Sequence, residues 1–253
     1  MKKNTVDFGY EDIPVEEKKE RVKNVFNSVA GKYDLMNDAM SFGIHRLWKN
    51  LTITKINPQP GEILIDVAGG TGDLARRFLK RAEAVRVRRG GSSATAYICD
   101  INDQMLLAGI DQTKDKDNLS RVCGDAQKLP FPDNYADALT IAFGIRNVTD
   151  RQSALKQFFR VLKPGGRMFV LEFSTPKDKN LRRIYDSYSF SFIPKIGNLL
   201  AGDAESYQYL VESIRKFPKQ NEFSNMIVES GFSNVSYRDF SGGIATLYWG
   251  WKI

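Results

Sequence analysis

Short apolar runs alternate with amphipathic stretches along most of this chain, and the alternation predicts its secondary structure. Apolar residues recur at helical spacing over residues 16–30 and again from Leu47 to Ile56, which predicts two helices before Pro58. Beyond Pro58 the expected strands are residues 63–67, 96–99, 119–122, 136–142 and 168–171. The helices expected between them are residues 74–79, 105–109 and 152–162, the last ending at a stop-and-turn signal, residues 163–166. Strands that alternate with helices in this way imply a parallel sheet covered on both faces.

The two ends of the domain depart from this alternation. Residues 1–15 are polar and are expected to be loose, whereas residues 180–217 are helical in character and rich in aromatic side chains. A further helix is expected at residues 223–228. Two last strands, residues 235–240 and 245–251, are joined by a Ser-Gly-Gly turn, which predicts a hairpin-like ending on the parallel sheet.

The amino-acid composition limits the classes of protein to which this chain can belong. The 253 residues are 42% hydrophobic, which suits one large folded domain, or a domain with a cap, and makes extensive disorder unexpected. The net charge of +7 fits best a basic housekeeping enzyme, next a surface that meets acidic lipid or an acidic partner, and last a nucleic-acid binder. Cys99 and Cys123 lie in strand-like apolar runs, so they are expected to be buried and indicate no disulfide framework or zinc site. His45 is the only histidine, which disfavours a His-ligated metal site. The sequence has no run of 18 apolar residues, so no membrane-spanning helix is expected.

The segment from Asp66 to Asp73 carries the first chemical signal. It reads Asp-Val-Ala-Gly-Gly-Thr-Gly-Asp directly after apolar residues 63–65, so a buried strand runs into a glycine-rich turn and then into a helix. The next strand ends in Asp100, and a strand-end carboxylate beside such a turn can hold the two hydroxyls of a ribose. Together these features predict a site for a cofactor that contains a nucleoside.

The charge of the turn favours S-adenosylmethionine over a nicotinamide dinucleotide. Residues 70–75 formally fit the G-x-G-x-x-A dinucleotide pattern, but the acidic Asp66 and Asp73 would sit badly beside a pyrophosphate. S-adenosylmethionine has no phosphate and carries a cationic sulfonium and an ammonium group, which carboxylates attract. Asp125, after the third strand, could accept a hydrogen bond from an adenine amino group while the neighbouring backbone donates to the ring. The alternative is that Asp125 only caps a turn.

Four further stretches resemble one family of proteins. They are residues 32–48 (KYDLMNDAMSFGIHRLW), 143–148 (FGIRNV), 160–166 (RVLKPGG) and 206–214 (SYQYLVESI). With the glycine turn they are similar to the class I S-adenosylmethionine methyltransferases and, more narrowly, to the C-methyltransferases of ubiquinone and menaquinone biosynthesis. The last stretch resembles the eukaryotic, mitochondrial branch of that family. The chain departs from the family pattern at residues 81–95, which are basic and then rich in Gly and Ser. We interpret this stretch as an inserted surface loop rather than a nucleic-acid arm.

The resemblance implies a fold and a cofactor site. The fold is α/β, with a seven-stranded, mostly parallel sheet, helices on both faces, N-terminal helices and a helical cap insertion. Residues 1–57 would form a helical region that covers the active site, and residues 58–253 the S-adenosylmethionine-binding core, with the cap near residues 180–217. The residues implied to bind the cofactor are Asp66, Gly69, Gly70, Thr71, Gly72, Asp100, Ile101, Asp125, Ala126 and Phe143.

The resemblance also implies an activity and a location. The expected reaction methylates a ring carbon of a polyprenyl benzoquinol, similar to 2-methoxy-6-polyprenyl-1,4-benzoquinol, in ubiquinone biosynthesis. Such enzymes work as peripheral members of a multi-subunit complex on the matrix face of the mitochondrial inner membrane. The expected partners are therefore other ubiquinone-biosynthesis proteins, the membrane surface and a second copy of the chain, but not nucleic acid. The methyl donor is already activated, so no metal is expected.

Ring carbon becomes a good nucleophile only when a phenol of the quinol loses its proton, so the site must stabilise a phenolate. Arg146, after the fourth strand, is our first choice because a guanidinium stays charged and lowers the pKa of a nearby phenol, with a polarised water as the more reasonable proton acceptor. Asn147 could orient that water or a ring oxygen, and Tyr33 could contact the quinol or cover the methionine end of the cofactor. The alternatives are an ion pair of Arg146 with a structural carboxylate and a core position for Tyr33. A structural role is favoured for His45.

Several functional alternatives stay open on sequence alone. The aromatic residues 184–194 fit either core packing or a groove for the polyprenyl tail. A demethylmenaquinone, small-aromatic or sterol methyltransferase would share the cofactor half. A nucleic-acid methyltransferase is disfavoured, because Phe143-Gly144-Ile145-Arg146 is not the Pro-Pro-aromatic arrangement expected of amino-group methylation. A non-catalytic scaffold is disfavoured by the intact acidic residues at the strand ends.

Overall fold

The computed structural model describes residues 5–29, 37–38, 41, 43–111, 117–191 and 204–253. The helices in these ranges are Val15–Val29 (α1), His45–Ile56 (α2), Asp73–Arg89 (α3), Asp103–Asp111 (α4), Arg151–Val161 (α5), Lys179–Ser191 (α6), Ala204–Lys216 (α7) and Gln220–Glu229 (α8). The strands are Thr5–Phe8 (β1), Glu11–Pro14 (β2), Ile63–Val67 (β3), Thr95–Asp100 (β4), Leu119–Cys123 (β5), Ala136–Ala142 (β6), Leu162–Phe173 (β7), Ser233–Phe240 (β8) and Ala245–Trp251 (β9). A 3-10 turn covers Ile145–Asn147. Within these ranges, no helix has both the length and the apolar character needed to cross a bilayer.

Seven strands form one sheet in the order β5-β4-β3-β6-β7-β9-β8. The pairings from β5 to β7 are parallel, whereas β9 runs antiparallel to both of its neighbours. The mostly parallel sheet and the terminal hairpin expected from the sequence are thereby confirmed. The strand order changes direction between β3 and β6, and the crevice at the carboxyl ends of such strands is where open α/β sheets bind ligands.

Two apolar layers cover the sheet, one on each face. Trp48 of α2 and Phe78 of α3 belong to the first layer, and Phe158 of α5 and Phe223 of α8 belong to the second. Side chains alternate along each strand, so Leu64 of β3 enters the first layer while its neighbours in sequence face away from it. A sheet buried on both faces accounts for the continuous apolar runs seen in the sequence.

Of the surface loop expected at residues 81–95, residues 90–94 have no regular structure, but residues 81–89 belong to helix α3. It continues to Arg89, because Phe78, Ala82 and Val85 extend the apolar face of its first turns at spacings of three and four residues, and all three are buried. The helix ends at Gly90, whose φ is 78°. The basic residues that suggested a loop are the solvent side of an amphipathic helix.

The N-terminus also differs from expectation. Residues 5–14 are not loose but form an antiparallel hairpin of β1 and β2, with Gly9 at a φ of 59° in its turn. Two four-residue strands are too short for hydrophobic alternation to reveal, and tertiary packing stabilises them: the Phe8 ring stacks on Tyr209 of α7 at a centroid distance of 4.1 Å. Helix α1 follows directly, close to its predicted bounds.

Two smaller expectations also change. The predicted turn at residues 163–166 lies inside β7, where the register with β6 shifts, so these residues form an irregularity in a long strand. Cys99 is buried as expected, but Cys123 is exposed because it lies at the end of β5, the edge strand of the sheet.

Candidate active site

A cleft opens at the carboxyl ends of β3, β4 and β6. It encloses about 820 Å³ including its open mouth, and it lies where open α/β sheets bind ligands. Its lining combines the ends of these strands with one face of α1. The lining residues that the sequence also marked as cofactor-binding are Gly70, Asp100, Ile101, Asp125, Ala126 and Phe143.

The glycine turn is held against the end of β4 by one carboxylate. The backbone N–H of Gly70 donates to Asp100 Oδ2 at 2.9 Å, and the N–H of Asn102 donates to Asp100 Oδ1 at 2.8 Å. Burial raises the pKa of the Asp100 carboxyl, although these N–H donors oppose the shift. Gly72, the residue before α3, has a φ of 88°, and a Cβ there would lie 2.3 Å from Ile98 Cδ1. Only glycine therefore allows the turn to approach β4 this closely.

Two non-glycine residues at the cleft have left-handed backbone conformations. Ala68 follows β3 with a φ of 48°, and Phe143 follows β6 with a φ of 58°. Such residues are uncommon away from functional sites, and each conformation costs about 1–3 kcal/mol. The two strand ends also approach each other, because a Cβ on Gly144 would lie 2.6 Å from the Cβ of Ala68. Both residues lie at the junction of β3 and β6, where the strand order changes direction.

A smaller recess of about 350 Å³ adjoins the cleft and shares Ala68 and Phe143 with it. Asp66 lines the recess, together with Gly69 and Thr71. Thr140 donates to Asp66 Oδ1 at 2.6 Å, while the buried Oδ2 has no hydrogen-bond partner within the described ranges. Burial raises the pKa of this carboxyl to about 7, against the opposing effect of the Thr140 hydrogen bond. A buried acceptor of this kind suits a cationic group that enters the recess.

Asp73 corrects one step of the cofactor argument. Its carboxylate also lines the recess, but it lies 2.9 Å from Lys49 Nζ and 2.8 Å from Arg77 Nε. Burial favours the neutral form of Asp73, yet these two cations outweigh it and hold the pKa below its usual value. The negative charge of Asp73 is therefore already neutralised within the protein, and Asp66 is the acidic residue of the turn that remains for a ligand.

Asp125 caps a turn, as the simpler interpretation expects, and its contact with an adenine amino group stays a prediction. Its Oδ1 accepts the backbone N–H of Gln127 at 2.9 Å, which is the turn cap of the simpler interpretation. The same residue lines the cleft, and its Oδ2 lies 3.3 Å from Lys19 Nζ of α1. The carboxylate is therefore both structural and accessible to a ligand in the cleft.

Helix α1 forms one wall of the cleft, and its individual contacts were not predicted. Val22 and Phe26 contribute apolar side chains to the lining. Lys23 Nζ lies 2.8 Å from Asp103, at the start of α4, and Asn102 donates to Asn27 Oδ1 at 2.9 Å. The helical spacing of apolar residues in α1 was visible in the sequence, but the partner of that face is set only by the fold.

Arg146 and Asn147 are adjacent in sequence but occupy different environments. Arg146 is 2% exposed, and its Nη1 lies 2.7 Å from Glu172 Oε1 and donates to the Phe143 carbonyl at 2.6 Å. Asn147 lines the cleft and accepts the Tyr209 hydroxyl at 3.0 Å. The ion pair of Arg146 with a structural carboxylate, one of the two readings of this residue, is present, while the role of Arg146 toward a phenolate stays a prediction.

The remaining candidates divide between the core and the undescribed part of the chain. His45 is buried, and its Nε2 lies 2.8 Å from Asp38 Oδ1, so it holds the start of α2 as a structural residue. Burial lowers its pKa in spite of Asp38, so the ring is neutral at pH 7. Tyr33 lies outside the described residues, as do residues 192–194 of the aromatic stretch.

Comparison with solved structures supports the fold. A SAM-dependent methyltransferase from Thermotoga maritima, described as a possible histamine N-methyltransferase, superposes with a TM-score of 0.61 at 17% identity, covering 91% of this chain and 99% of that one. Human N-acetylserotonin methyltransferase, solved in complex with SAM, gives a TM-score of 0.59 at 16% identity, covering 95% of this chain and 60% of that one. At these identities the likeness concerns the fold alone, and it confirms the class I methyltransferase architecture.

Sequence comparison identifies the family. The chain is 51% identical over 253 residues to the ubiquinone/menaquinone biosynthesis C-methyltransferase UbiE of Caulobacter vibrioides, with 100% of each chain covered. It is 50% identical over 251 residues to the protein of the same name from Ectopseudomonas mendocina, covering 98% of this chain and 95% of that one. The profile of the ubiE/COQ5 methyltransferase family matches residues 14–252. This protein therefore belongs to the ubiE/COQ5 methyltransferase family.

Proposed function

We propose that this S-adenosylmethionine-dependent C-methyltransferase methylates a ring carbon of 2-methoxy-6-polyprenyl-1,4-benzoquinol in ubiquinone biosynthesis. The observation that carries the proposal is a cleft whose lining combines carboxylates, an amide and apolar side chains. Asp100 and Asp125 provide carboxylates for the nucleoside part of a cofactor, while Asn147 provides an amide toward the space above the strand ends. Val22, Phe26 and Phe143 supply apolar walls against which an aromatic ring can pack.

The residues present fit S-adenosylmethionine. Asp100 would accept the ribose hydroxyls, Asp125 the adenine amino group, and Asp66 the ammonium group of the methionine part. The orphan Oδ2 of Asp66 is a buried acceptor, and Gly69 and Gly70 bring bare backbone to the recess and the cleft; both features suit such a cofactor. When bound, S-adenosylmethionine supplies a methyl group that is already activated by its sulfonium.

On the substrate side, the chain must favour the phenolate form of the quinol and hold one ring carbon in line with the methyl group. The Asn147 amide is a hydrogen-bond donor at the cleft, and donors aimed at developing negative charge stabilise it. The methyl group would pass from sulfur to that carbon and leave S-adenosylhomocysteine, and the ring carbon would then lose its proton to water. Arg146, the sequence neighbour of Asn147, keeps its proposed role toward the phenolate only as a weaker contribution, because its ion pair with Glu172 neutralises most of its charge within the protein.

A second candidate substrate is demethylmenaquinol. The name shared by the bacterial relatives covers both ubiquinone and menaquinone biosynthesis, which is the observation that favours it. Both quinols place an ionisable hydroxyl next to the carbon that is methylated, so the acidic strand ends and Asn147 serve either one.

The experiment supplies purified protein with S-adenosylmethionine carrying a labelled methyl group and, in parallel, a short-tailed 2-methoxy-6-prenyl-1,4-benzoquinol or demethylmenaquinol, each kept reduced. Mass spectrometry then locates the label. Label on the ring carbon of the benzoquinol supports the proposal, and label on demethylmenaquinol alone replaces it with the second candidate. The matched control is Asp100→Asn, which keeps the shape of the side chain but removes the charge toward the ribose, and which should raise the S-adenosylmethionine Kd. No transfer to either quinol would contradict the proposed substrate class.

Two further proposals concern partners and place. We infer that the protein acts as a peripheral member of a complex of ubiquinone-biosynthesis proteins, as a homodimer, at the matrix face of a mitochondrial inner membrane. The net charge of +7 supports contact with acidic lipid, and the resemblance of residues 206–214 to the mitochondrial branch supports the compartment, whereas the relatives compared above are bacterial. Flotation with cardiolipin-containing vesicles, with sedimentation analysis in parallel, tests these points. Protein that stays monomeric and unbound would count against them.

A further inference from the structure

Helix α7 contacts the active-site dipeptide from behind, through two residues one turn apart. The Ser213 hydroxyl accepts from Arg146 Nε at 3.3 Å, and the Tyr209 hydroxyl donates to Asn147 Oδ1 at 3.0 Å. Residues four apart share one face of a helix, so one face of α7 supports both side chains. Neither Tyr209 nor Ser213 lines the cleft.

The two ends of the Asn147 amide differ sharply. Its Oδ1 accepts the Tyr209 hydroxyl, whereas its Nδ2 has no partner within the described ranges, although the side chain is only 9% exposed. A buried amide donor without a partner is costly, so such groups in native proteins call for an explanation. Asn147 lines the cleft, and a ligand bound there is the acceptor that Nδ2 lacks.

The direction of the Tyr209 hydrogen bond decides which end of the Asn147 amide is left without a hydrogen-bond partner. Burial raises the pKa of Tyr209 above its usual value, and the nearby Arg146 does not reverse the shift, so the hydroxyl keeps its proton. A buried O–H needs an acceptor, and within the described part of the chain the acceptor is Asn147 Oδ1. With Oδ1 bonded to Tyr209, the NH2 group is the end of the Asn147 amide that has no partner among the described residues.

The Tyr209 ring is itself fixed by the N-terminal hairpin. Phe8 of β1 stacks on it at a centroid distance of 4.1 Å and an interplanar angle of 20°. The same hairpin is joined to α7 by the Tyr10 backbone N–H, which donates to Glu212 Oε2 at 3.0 Å. The hydroxyl of Tyr209 is thus held toward Asn147 by packing on its ring as well as by the hydrogen bond.

We propose that Tyr209 is a positioning residue for methyl transfer: its hydroxyl locks the Asn147 amide so that Nδ2 donates to the ring oxygen of the quinol as that oxygen becomes anionic. The inference rests on the proposed function, because it assumes a phenolic acceptor in the cleft. Without the hydroxyl the amide can turn, and its Oδ1 would then face the developing negative charge. Tyr209 does not touch the substrate and acts only through Asn147.

The test is a double-mutant cycle on kcat with labelled S-adenosylmethionine and the short-tailed methoxy-benzoquinol. Tyr209→Phe keeps the ring and its stacking on Phe8, and it should lower kcat about tenfold, equivalent to about 1.4 kcal/mol in the barrier, while the S-adenosylmethionine Kd stays the same. In an Asn147→Ala background the same change should have no further effect on kcat. A similar loss in both backgrounds would overturn the inference, because Tyr209 would then act on something other than Asn147.

Two further variants keep the outcome specific. Tyr248→Phe removes the hydroxyl of another buried tyrosine, in the apolar layer on the other face of the sheet, and should leave kcat unchanged, which separates positioning from a general loss of packing. Asn147→Asp can still accept from Tyr209 but presents a carboxylate to the cleft, so it should lower kcat at least as far as Asn147→Ala does. Wild-type kcat in Asn147→Asp would overturn the donor role of Nδ2. If instead Asn147→Ala alone retains full kcat, the proposed role of Asn147 fails, and the inference about Tyr209 fails with it.

Discussion

Asp66 should lower the stability of this protein as the pH rises, which is the opposite of the usual effect of a carboxyl group. The carboxyl has an unfolded pKa near 3.8 and a folded pKa of about 7, because burial penalises its charge. The unfolded chain therefore loses this proton at lower pH than the folded protein does, so the contribution of Asp66 to stability falls as the pH rises between these values. A pKa difference of one between the two states corresponds to about 1.36 kcal/mol, so the penalty grows from roughly 2 kcal/mol at about pH 5.5 to roughly 4 kcal/mol at about pH 8.

The assay is urea unfolding of the wild type and of Asp66→Asn across this pH range. The variant keeps an acceptor for Thr140 but has no proton to lose, so the difference in unfolding free energy between the two proteins should change by about 2 kcal/mol, in favour of the variant at high pH. Asp73→Asn is the matched control from the same turn. Its pKa lies below the usual value, so it is ionised in both states above about pH 5.5 and the corresponding difference should stay constant.

A pH-independent difference between wild type and Asp66→Asn would refute the reasoning, because Asp66 would then be solvated or paired in the folded protein. Binding supplies a second readout. A cation that enters the recess favours the ionised form, so S-adenosylmethionine binding at pH 7 should release up to about half a proton per site. Calorimetry in two buffers of different ionisation enthalpy measures that release, and Asp66→Asn should abolish it.

Three further predictions concern the framework of the site. Glu172→Gln leaves the Arg146 charge buried without its partner and should cost about 3–5 kcal/mol of unfolding free energy. Glu62→Gln, which loosens the more exposed pair with Arg167, should cost about 1 kcal/mol or less. Equal losses in urea unfolding would contradict the difference in burial. Gly72→Ala should lower stability and weaken S-adenosylmethionine binding by more than Gly165→Ala does, because both glycines have positive φ but only Gly72 would force a Cβ against Ile98; calorimetry and thermal unfolding compare them. His45 should make the protein less stable as the pH falls below about 6.5, because burial lowers its folded pKa and the unfolded chain takes up the proton first. We expect the His45→Gln variant to lack this loss when unfolding free energy is measured against pH. A profile identical to that of the wild type would count against the prediction.

Local pattern was sufficient for much of the fold. The five parallel strands could be predicted because a sheet buried on both faces demands continuous apolar runs, and β3 and β6 appear in the sequence as such runs. The glycine turn was equally readable, since the positive φ at Gly70 and Gly72 is a backbone requirement that only certain residues meet. Asp100 and Asp125 followed from their places at strand ends, because parallel strands bring their carboxyl ends to one edge.

Long-range packing decided the rest. The basic residues of α3 were predicted as a loop because charge dominates their composition, whereas the burial of Ala82 and Val85 on one face makes this stretch an amphipathic helix. Asp73 seemed free to meet a cation, but Lys49, 24 residues earlier in the chain, neutralises it.

The same distinction holds at the centre of the site. Sequence alone determined that Arg146 and Asn147 follow β6, and therefore that both lie near the edge of the sheet where the parallel strands end. It did not determine that Glu172, 26 residues away, buries Arg146 in an ion pair, or that Tyr209, 62 residues away, occupies one end of the Asn147 amide. A residue type limits what a side chain can donate or accept, but its partners come from distant parts of the chain, so only the tertiary structure decides which donor is left for the substrate.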